Sequence, residues 1–532
     1  MAQVNKCYLA NLVVIVSLAS SGFGIALVGT DELSDTYKLR FNWTETEQED
    51  NITWLTCASA LGLMIGSLAA STIVQIGRRR AIILASTVAL IGGLMQFIFN
   101  FWLIFAGKII YGASAAVMLT GCALYLAETL PEDKVGTHGF AVNFGVTIGI
   151  TIILNLGIAV SDDNPDSKSW LIVAFVPIVG AVANFVLWLF WFNNEPIGFC
   201  IANAEKSDYK EQAYEGIRRL YHTEGSMDIV YQIYENRLDP DEAKRDPFML
   251  NQKSRQSLNP DSMEDNCLDF DSGQTNHLFS GGPNILQAIC DPQYRCASMI
   301  GIMMACFNQL SGLNAINFYS SVIFQSVFTS ANAITIGTSL TGIAQIIGVL
   351  IAPVAGLKFS LKTILVWGTG ACTICMACVA LFSSLIDSPN LVLVFILLFL
   401  VCFQASQGSF FFTYVAEIAE DAGVAWANFT LFTFILIFAL STQKLFDTIH
   451  NGYTFMIFAI CNLVATVLYN LVLKDISDMS KTEKKALYSS GSGSRVSSGS
   501  VRSFGKSDEI HGGANAYIGA YGKDVDESLD YH

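Results

Sequence analysis

Charge is scarce in this sequence. Asp, Glu, Lys and Arg make up 14% of its 532 residues, against about 25% in an ordinary globular chain. Histidine is scarcer still, six in all and without a cluster. A Gly-rich phosphate loop and a nucleophile elbow are both lacking. These absences argue against an enzyme and against a metal or organic cofactor. Basic patches are lacking too: the formal net charge is −15, which argues against nucleic acid as a partner. Many of the 13 Cys scatter through apolar stretches (Cys57, Cys122, Cys306, Cys372, Cys375, Cys378), where a buried thiol behaves as a small hydrophobe rather than part of a bridge framework.

What is abundant is apolar. Hydrophobic residues make up 52% of the chain and run together, as in Tyr8–Val28, Trp170–Phe192 and Leu391–Tyr414. A bilayer core asks a helix for about 20 such residues. The pattern excludes a soluble multi-domain protein, a disordered chain and a disulfide scaffold. It predicts twelve spans, at roughly 8–28, 53–75, 81–99, 101–127, 139–160, 170–192, 296–326, 332–356, 363–386, 391–416, 424–446 and 452–473, an all-α polytopic membrane protein with the lipid bilayer as its solvent.

The loops set the orientation. Arg78, Arg79 and Arg80 lie between spans 2 and 3, and Lys358 and Lys362 between spans 8 and 9. Both loops are expected in the cytoplasm, as are both termini. The loop between spans 1 and 2 is then outside. It is acidic and carries the glycosylation sequons Asn42-Trp43-Thr44 and Asn51-Ile52-Thr53. The plasma membrane is the expected location, with an organelle membrane as the alternative.

The chain divides into a six-span half (1–192), a polar cytoplasmic interlude (193–295), a second six-span half (296–475) and a Ser/Gly-rich cytoplasmic tail (476–532). The interlude reads as helix-compatible over Lys206–Arg237 and as disordered over Lys253–Ser280. The halves repeat. Span 4 ends Tyr125-Leu126-Ala127-Glu128 and span 10 ends Tyr414-Val415-Ala416-Glu417; Arg80-Ala81-Ile82-Ile83 follows span 2 and Lys362-Thr363-Ile364-Leu365 follows span 8. A parallel six-plus-six repeat is the architecture of the major facilitator fold, with its substrate site between the halves near mid-membrane.

Span 7 holds the densest chemistry: Asn308-Gln309-Leu310-Ser311-Gly312-Leu313-Asn314-Ala315-Ile316-Asn317-Phe318-Tyr319-Ser320. Neutral amides and hydroxyls at membrane depth are costly unless paired. Asn314, Asn317 and Ser320 recur every third residue along one side of a helix, whereas Gln309 lies about 140° from Asn314 on an ideal helix. Gly312 between them is able to loosen the helix. An amide offers two donors and two acceptor lone pairs without charge, which matches a polyol. The alternative is that these amides only hold helices together.

This segment resembles the Gln-Gln-Leu-Ser-Gly-Ile-Asn-Ala motif of the sugar porter family of the major facilitator superfamily. Gly77-Arg78-Arg79-Arg80, Gly107-Lys108, Tyr125-Leu126-Ala127-Glu128, His138-Gly139, Asn194-Glu195-Pro196 and Asp291-Pro292-Gln293-Tyr294-Arg295 resemble other signatures of that family. The resemblance covers nearly all of 8–475. It implies transport of a hexose or related polyol by alternating access. It matches Gln309 and Asn314 to sugar-binding amides, with the shorter Asn308 and Asn143 standing where the family has Gln. The span 8 Asn falls near Gly342, with Gln345 one turn on as its replacement. Asn428-Phe429 resembles the close of the span 11 motif, beside Trp426.

The departures carry expectations of their own. Gly408-Ser409-Phe410-Phe411-Phe412 replaces the family's Gly-Pro-x-Pro-Trp. Without prolines span 10 is expected to be straighter, and Phe412 offers an apolar face but no indole N–H. Phe23-Gly24-Ile25-Ala26 in span 1 carries no acid, and a proton-coupled carrier needs a titratable group in its pathway, so facilitated diffusion is expected. Glu128 and Glu417 are expected to pair with Arg78, Arg79 and Lys362 in a cytoplasmic salt-bridge network that breaks on switching; the alternative is ordinary snorkelling charge, and the register of the two Glu favours the network. Two rival functions remain: a transport-inactive sensor or structural subunit of a larger membrane assembly, motivated by the lost prolines and shortened amides, and a carrier of another polar solute such as inositol or an organic acid.

Overall fold

The computed structural model describes residues 4–27, 33–160, 168, 170–204, 208–221, 227, 230–231, 283–317, 331–386, 388–448, 451–476, 479, 483–484 and 487–488. Twelve helices among them are long and apolar enough to cross a membrane: Lys6–Ala26, Glu45–Ile76, Arg78–Phe97, Phe101–Thr129, Lys134–Leu156, Trp170–Phe190, Pro292–Asn317, Ser339–Lys358, Leu361–Ser384, Asn390–Ile418, Asp421–Ser441 and Gly452–Val472. They are spans 1 to 12 in that order. The outward faces carry large exposed apolar residues such as Phe190, Trp367 and Leu471. On a soluble protein so wide a patch would mark an interface; on twelve spanning helices it is the lipid face. The chain is an integral, multi-pass, all-α membrane protein.

Local chemistry starts the helices where the hydrophobic runs begin. The Thr44 hydroxyl accepts the Glu47 N–H and the Glu47 carboxylate accepts the Thr44 N–H, a capping box that opens span 2. The Asn100 side chain accepts from Trp102 and Leu103 at the start of span 4. Asp291 caps span 7, with Pro292 following it. Small residues then let helices approach: Gly62 and Gly66 of span 2 pack against Ile109 and Ala113 of span 4. Across the halves, span 2 packs on span 11 and span 5 on span 8. The halves thus meet along spans 2, 5, 8 and 11.

Spans 7 and 10 are interrupted within their length. Span 7 breaks at Ser311-Gly312: Gly312 has φ +95°, a left-handed value that favours glycine, and the helix resumes at Leu313. Span 10 contains a π-turn over Gln404–Gly408. This corrects the expectation of a straighter span 10. The prolines are gone, but a wide turn interrupts the helix just before Ser409 and Phe411, where they would have stood, and the Ser409 hydroxyl donates across it to the Gln404 carbonyl at 2.6 Å.

Between spans 6 and 7, Ile197–Ala202 and Tyr209–Leu220 are helical and bury Phe199, Cys200, Ala213, Ile217 and Leu220 together. The N-terminal segment joins them, with the Asn5 N–H donating to the Leu220 carbonyl at 2.7 Å. The expected disordered stretch Lys253–Ser280 lies outside the described residues. Part of the tail does not: Lys484, Leu487 and Tyr488 pack against the second half.

Candidate substrate site and cytoplasmic lock

Span 7's break gathers amides that a straight helix would separate. The chain reverses handedness at Gly312, and Asn314 Nδ2 then donates to Gln309 Oε1. Gln309 Nε2 donates to Asn308 Oδ1 at 3.1 Å. The angular separation on an ideal helix is thus overcome by one backbone turn. The Ser311 hydroxyl holds that turn by donating to the Asn308 carbonyl at 2.7 Å. Asn462 of span 12 donates to the Ser311 carbonyl at 3.0 Å.

A second chain of amides crosses the molecule. Asn143 Nδ2 of span 5 donates to Gln404 Oε1 of span 10 at 2.7 Å and to Ser409 Oγ at 3.3 Å. Gln404 Nε2 donates to Gln345 Oε1 of span 8 at 2.9 Å. Gln345 Nε2 donates to Asn317 Oδ1 of span 7 at 2.9 Å. All these side chains are buried. The relay ties the first half to the second through neutral hydrogen bonds alone, and it holds no Asp, Glu or His. Bonds between neutral amides contribute about 0.5–1.5 kcal/mol each, so a guest with hydroxyls is able to exchange for them at little net cost.

Gln404 is the centre of this relay, and sequence reasoning missed it. The signal was available: a Gln in the middle of an apolar span is as costly as one in span 7. Gln345 is where the one-turn offset from Gly342 places it. An Asn at 342 itself would not fit, because a Cβ there would lie 2.8 Å from the Thr151 side chain of span 5, and Thr151 Oγ1 donates to the Gly342 carbonyl at 3.2 Å.

Three expected site residues stand apart from the relay. Trp426 donates its indole N–H to the Ile285 carbonyl at 2.7 Å, which ties it to the chain just before span 7. It lies close to Asp421 at the start of span 11, away from the relay. Asn428 Nδ2 donates to Thr120 Oγ1 of span 4 at 3.0 Å, a further polar bond between halves. Phe412 lines a small apolar crevice with Ala123, Leu126, Ala127, Val142, Thr413 and Ala416, towards the end of span 10 that carries Glu417.

The basic loop builds a lock below that crevice. Arg78 Nη2 donates to Glu128 Oε1 at 2.8 Å and to Asp421 Oδ2 at 2.9 Å, and its Nη1 donates to the Val74 carbonyl at 2.8 Å. Its guanidinium also sits over the Phe199 ring, 4.8 Å from the centroid. One planar fork thus joins spans 3, 4 and 11 across the two halves. Asp421 was not anticipated as a partner. Arg79 forms no part of that lock: its guanidinium donates to the carbonyls of Trp188, Leu189 and Phe192, which closes the end of span 6. The Glu195 carboxylate accepts the backbone N–H groups of Arg79 (2.8 Å) and Arg80 (3.2 Å) at the start of span 3. Burial holds the Glu195 carboxyl above the usual carboxylate range, against the pull of those bonds.

Glu417, the counterpart of Glu128, takes its cation from an unexpected place. Lys484 Nζ donates to Glu417 Oε2 at 2.9 Å, with both side chains buried. Lys362, the expected partner, has no ion pair among the described residues. The tail residue wins because the chain after span 12 turns back under the half: the Tyr488 hydroxyl meets that of Tyr414 at 2.8 Å and accepts the Lys474 N–H at 2.8 Å. In the outer loop, Asn42 is exposed in a left-handed turn, φ 53°, at the end of a short helix. Asn51 is half-buried inside span 2.

Comparison with known proteins is consistent with this geometry. A family model described as "Sugar (and other) transporter" matches residues 10–235 and 242–476. "Hexose transporter 1" of Plasmodium vivax is 20% identical over 428 residues, covering 76% of this chain and 77% of that protein. Mouse "Solute carrier family 2, facilitated glucose transporter member 2" is 24% identical over 488 residues, covering 88% and 84%. Among solved structures, the proton:xylose symporter XylE bound to 6-bromo-6-deoxy-D-glucose matches with a TM-score of 0.73 at 16% identity, over 91% of this chain and all of that one. At that identity the likeness speaks for the major facilitator fold.

Proposed function

Because the chain belongs to the Sugar (and other) transporter family, we propose that it carries a hexose or related polyol across the plasma membrane by alternating access and facilitated diffusion. The single observation that bears the reading is the buried relay Asn143–Gln404–Gln345–Asn317, which links both halves without a charge. Substrate binds among Asn143, Asn308, Gln309, Asn314 and Gln345, exchanging amide–amide bonds for amide–hydroxyl bonds. That exchange loosens the tie between the halves at the moment the guest supplies its own. The Arg78–Glu128–Asp421 lock then breaks as the halves rock, and the crevice beside Phe412 becomes the path to the cytoplasm.

The lack of a carboxylate or imidazole in the relay supports uniport over proton symport. Nothing in the fold or the site favours the transport-inactive reading. The deciding experiment is uptake of labelled hexose in a transporter-null cell, with extracellular pH recorded. Uptake without alkalinisation is expected, together with at least a tenfold loss in Gln309→Ala. Normal uptake by Gln309→Ala refutes the site, and sugar-dependent alkalinisation refutes uniport.

A further inference from the structure

Gln407 has no place in the hydrogen bonding described so far. It lies in the π-turn of span 10 between Gln404 and Ser409, both of which belong to the relay. Its next neighbour, Gly408, backs directly onto that relay: a Cβ there would stand 2.3 Å from Gln404 Oε1 and 3.1 Å from Asn143 Nδ2. Gln407 is 1% exposed, yet neither Oε1 nor Nε2 has a hydrogen-bond partner among the described residues. Asn317 Nδ2, the last donor of the relay, is in the same position.

Orphaned amides inside a membrane call for an explanation, because water there is scarce and the desolvation penalty is not recovered. Each relay amide donates to the next in one direction, Asn143 to Gln404 to Gln345 to Asn317, so the chain ends on a donor with nothing to receive it. Gln407 adds both a free donor and a free acceptor. A hydroxyl both donates and accepts, and is the neutral group that fits such an amide. Single π-turns are frequent at functional sites, and this one carries Gln407 between relay residues Gln404 and Ser409.

We infer that Gln407, with Asn317, is a specificity-determining residue that hydrogen-bonds a hydroxyl of the transported polyol. The inference rests on the transport reading above. A site built to hydrogen-bond a hydroxyl rejects the analogue that lacks it, because the amide is then left buried and unpaired. An unliganded Gln407 also burdens the resting protein, so its removal does not weaken the fold.

The test measures inhibition of labelled hexose uptake by a series of monodeoxy hexoses, in wild type, Gln407→Leu and the length-matched Gln407→Met. The melting temperature of each purified protein without sugar is measured alongside. Wild type is expected to reject one monodeoxy analogue by about five- to tenfold relative to the parent. Both variants are expected to accept that analogue and the parent equally, to keep their discrimination at the other positions, and to melt no lower than wild type. Unchanged discrimination at every position overturns the inference. So does a lowered melting temperature with uniform loss for all analogues, which is the mark of a structural residue. A wild type that takes up neither hexose nor polyol overturns the transport reading and this one with it, and is told apart because the wild type itself is silent.

Discussion

Glu128 and Glu417 occupy equivalent places in the two halves and are held by different means. Glu128 shares Arg78 with Asp421, so its cation also grips the opposite half. Glu417 is neutralised by Lys484 from its own half's tail. The repeat kept the acid and changed its partner. The consequence is asymmetry: one network bridges the halves, while the other stays within one half; on the proposed mechanism only the first has to break on switching.

Removing Arg78 should break this comparison most severely. Arg78→Ala leaves two half-buried carboxylates without a cation, a loss of at most about 3–5 kcal/mol, the figure for fully buried pairs. It is expected to shift the protein towards the inward-open state and to cut uptake, read as increased labelling of a cysteine placed in the crevice at Ala127. Unchanged labelling would show that the lock does not hold the halves. Asp421→Asn should have a smaller effect of the same kind, about 1–3 kcal/mol, because Glu128 still holds Arg78. Lys484→Ala should lower the melting temperature by exposing Glu417 to an unpaired state while leaving the labelling pattern unaltered; altered labelling would mean that the tail network also spans the switch.

The double variant Arg78→Ala/Lys484→Ala sharpens the contrast. Networks with no shared partner should add within about 0.5 kcal/mol, and strong coupling would merge them into one device. The smallest functional effect is expected outside. Asn42→Gln should remove a glycan, seen as a faster band on a gel, with uptake unchanged, while Asn51→Gln should leave mobility as it was because that residue sits within the span 2 helix.

Much of the fold was legible because its causes are local and repeated. A bilayer demands about 20 apolar residues per helix, and twelve such runs announce themselves. The repeat of Tyr-x-Ala-Glu at the ends of spans 4 and 10 exposes the two halves. The amides of span 7 stand out for the same reason, since polarity in an apolar run has a cost that some partner has to offset. Gln404 and Gln407 carried the same signal more faintly, masked by the strong apolar run of span 10 and by attention to its missing prolines.

What the sequence by itself determined is therefore the solvent, the helix count and the neutral chemistry of the interior. These follow from composition and from period along one helix. Only the tertiary structure decided who pairs with whom. Gly312 turns Gln309 and Asn314 towards each other, a π-turn sets Gln404 between Asn143 and Gln345, and Lys484 rather than Lys362 reaches Glu417. Each of these depends on where separate helices come to rest against one another, and hydrogen bonds act over about 3 Å, a distance that spacing along a chain does not specify.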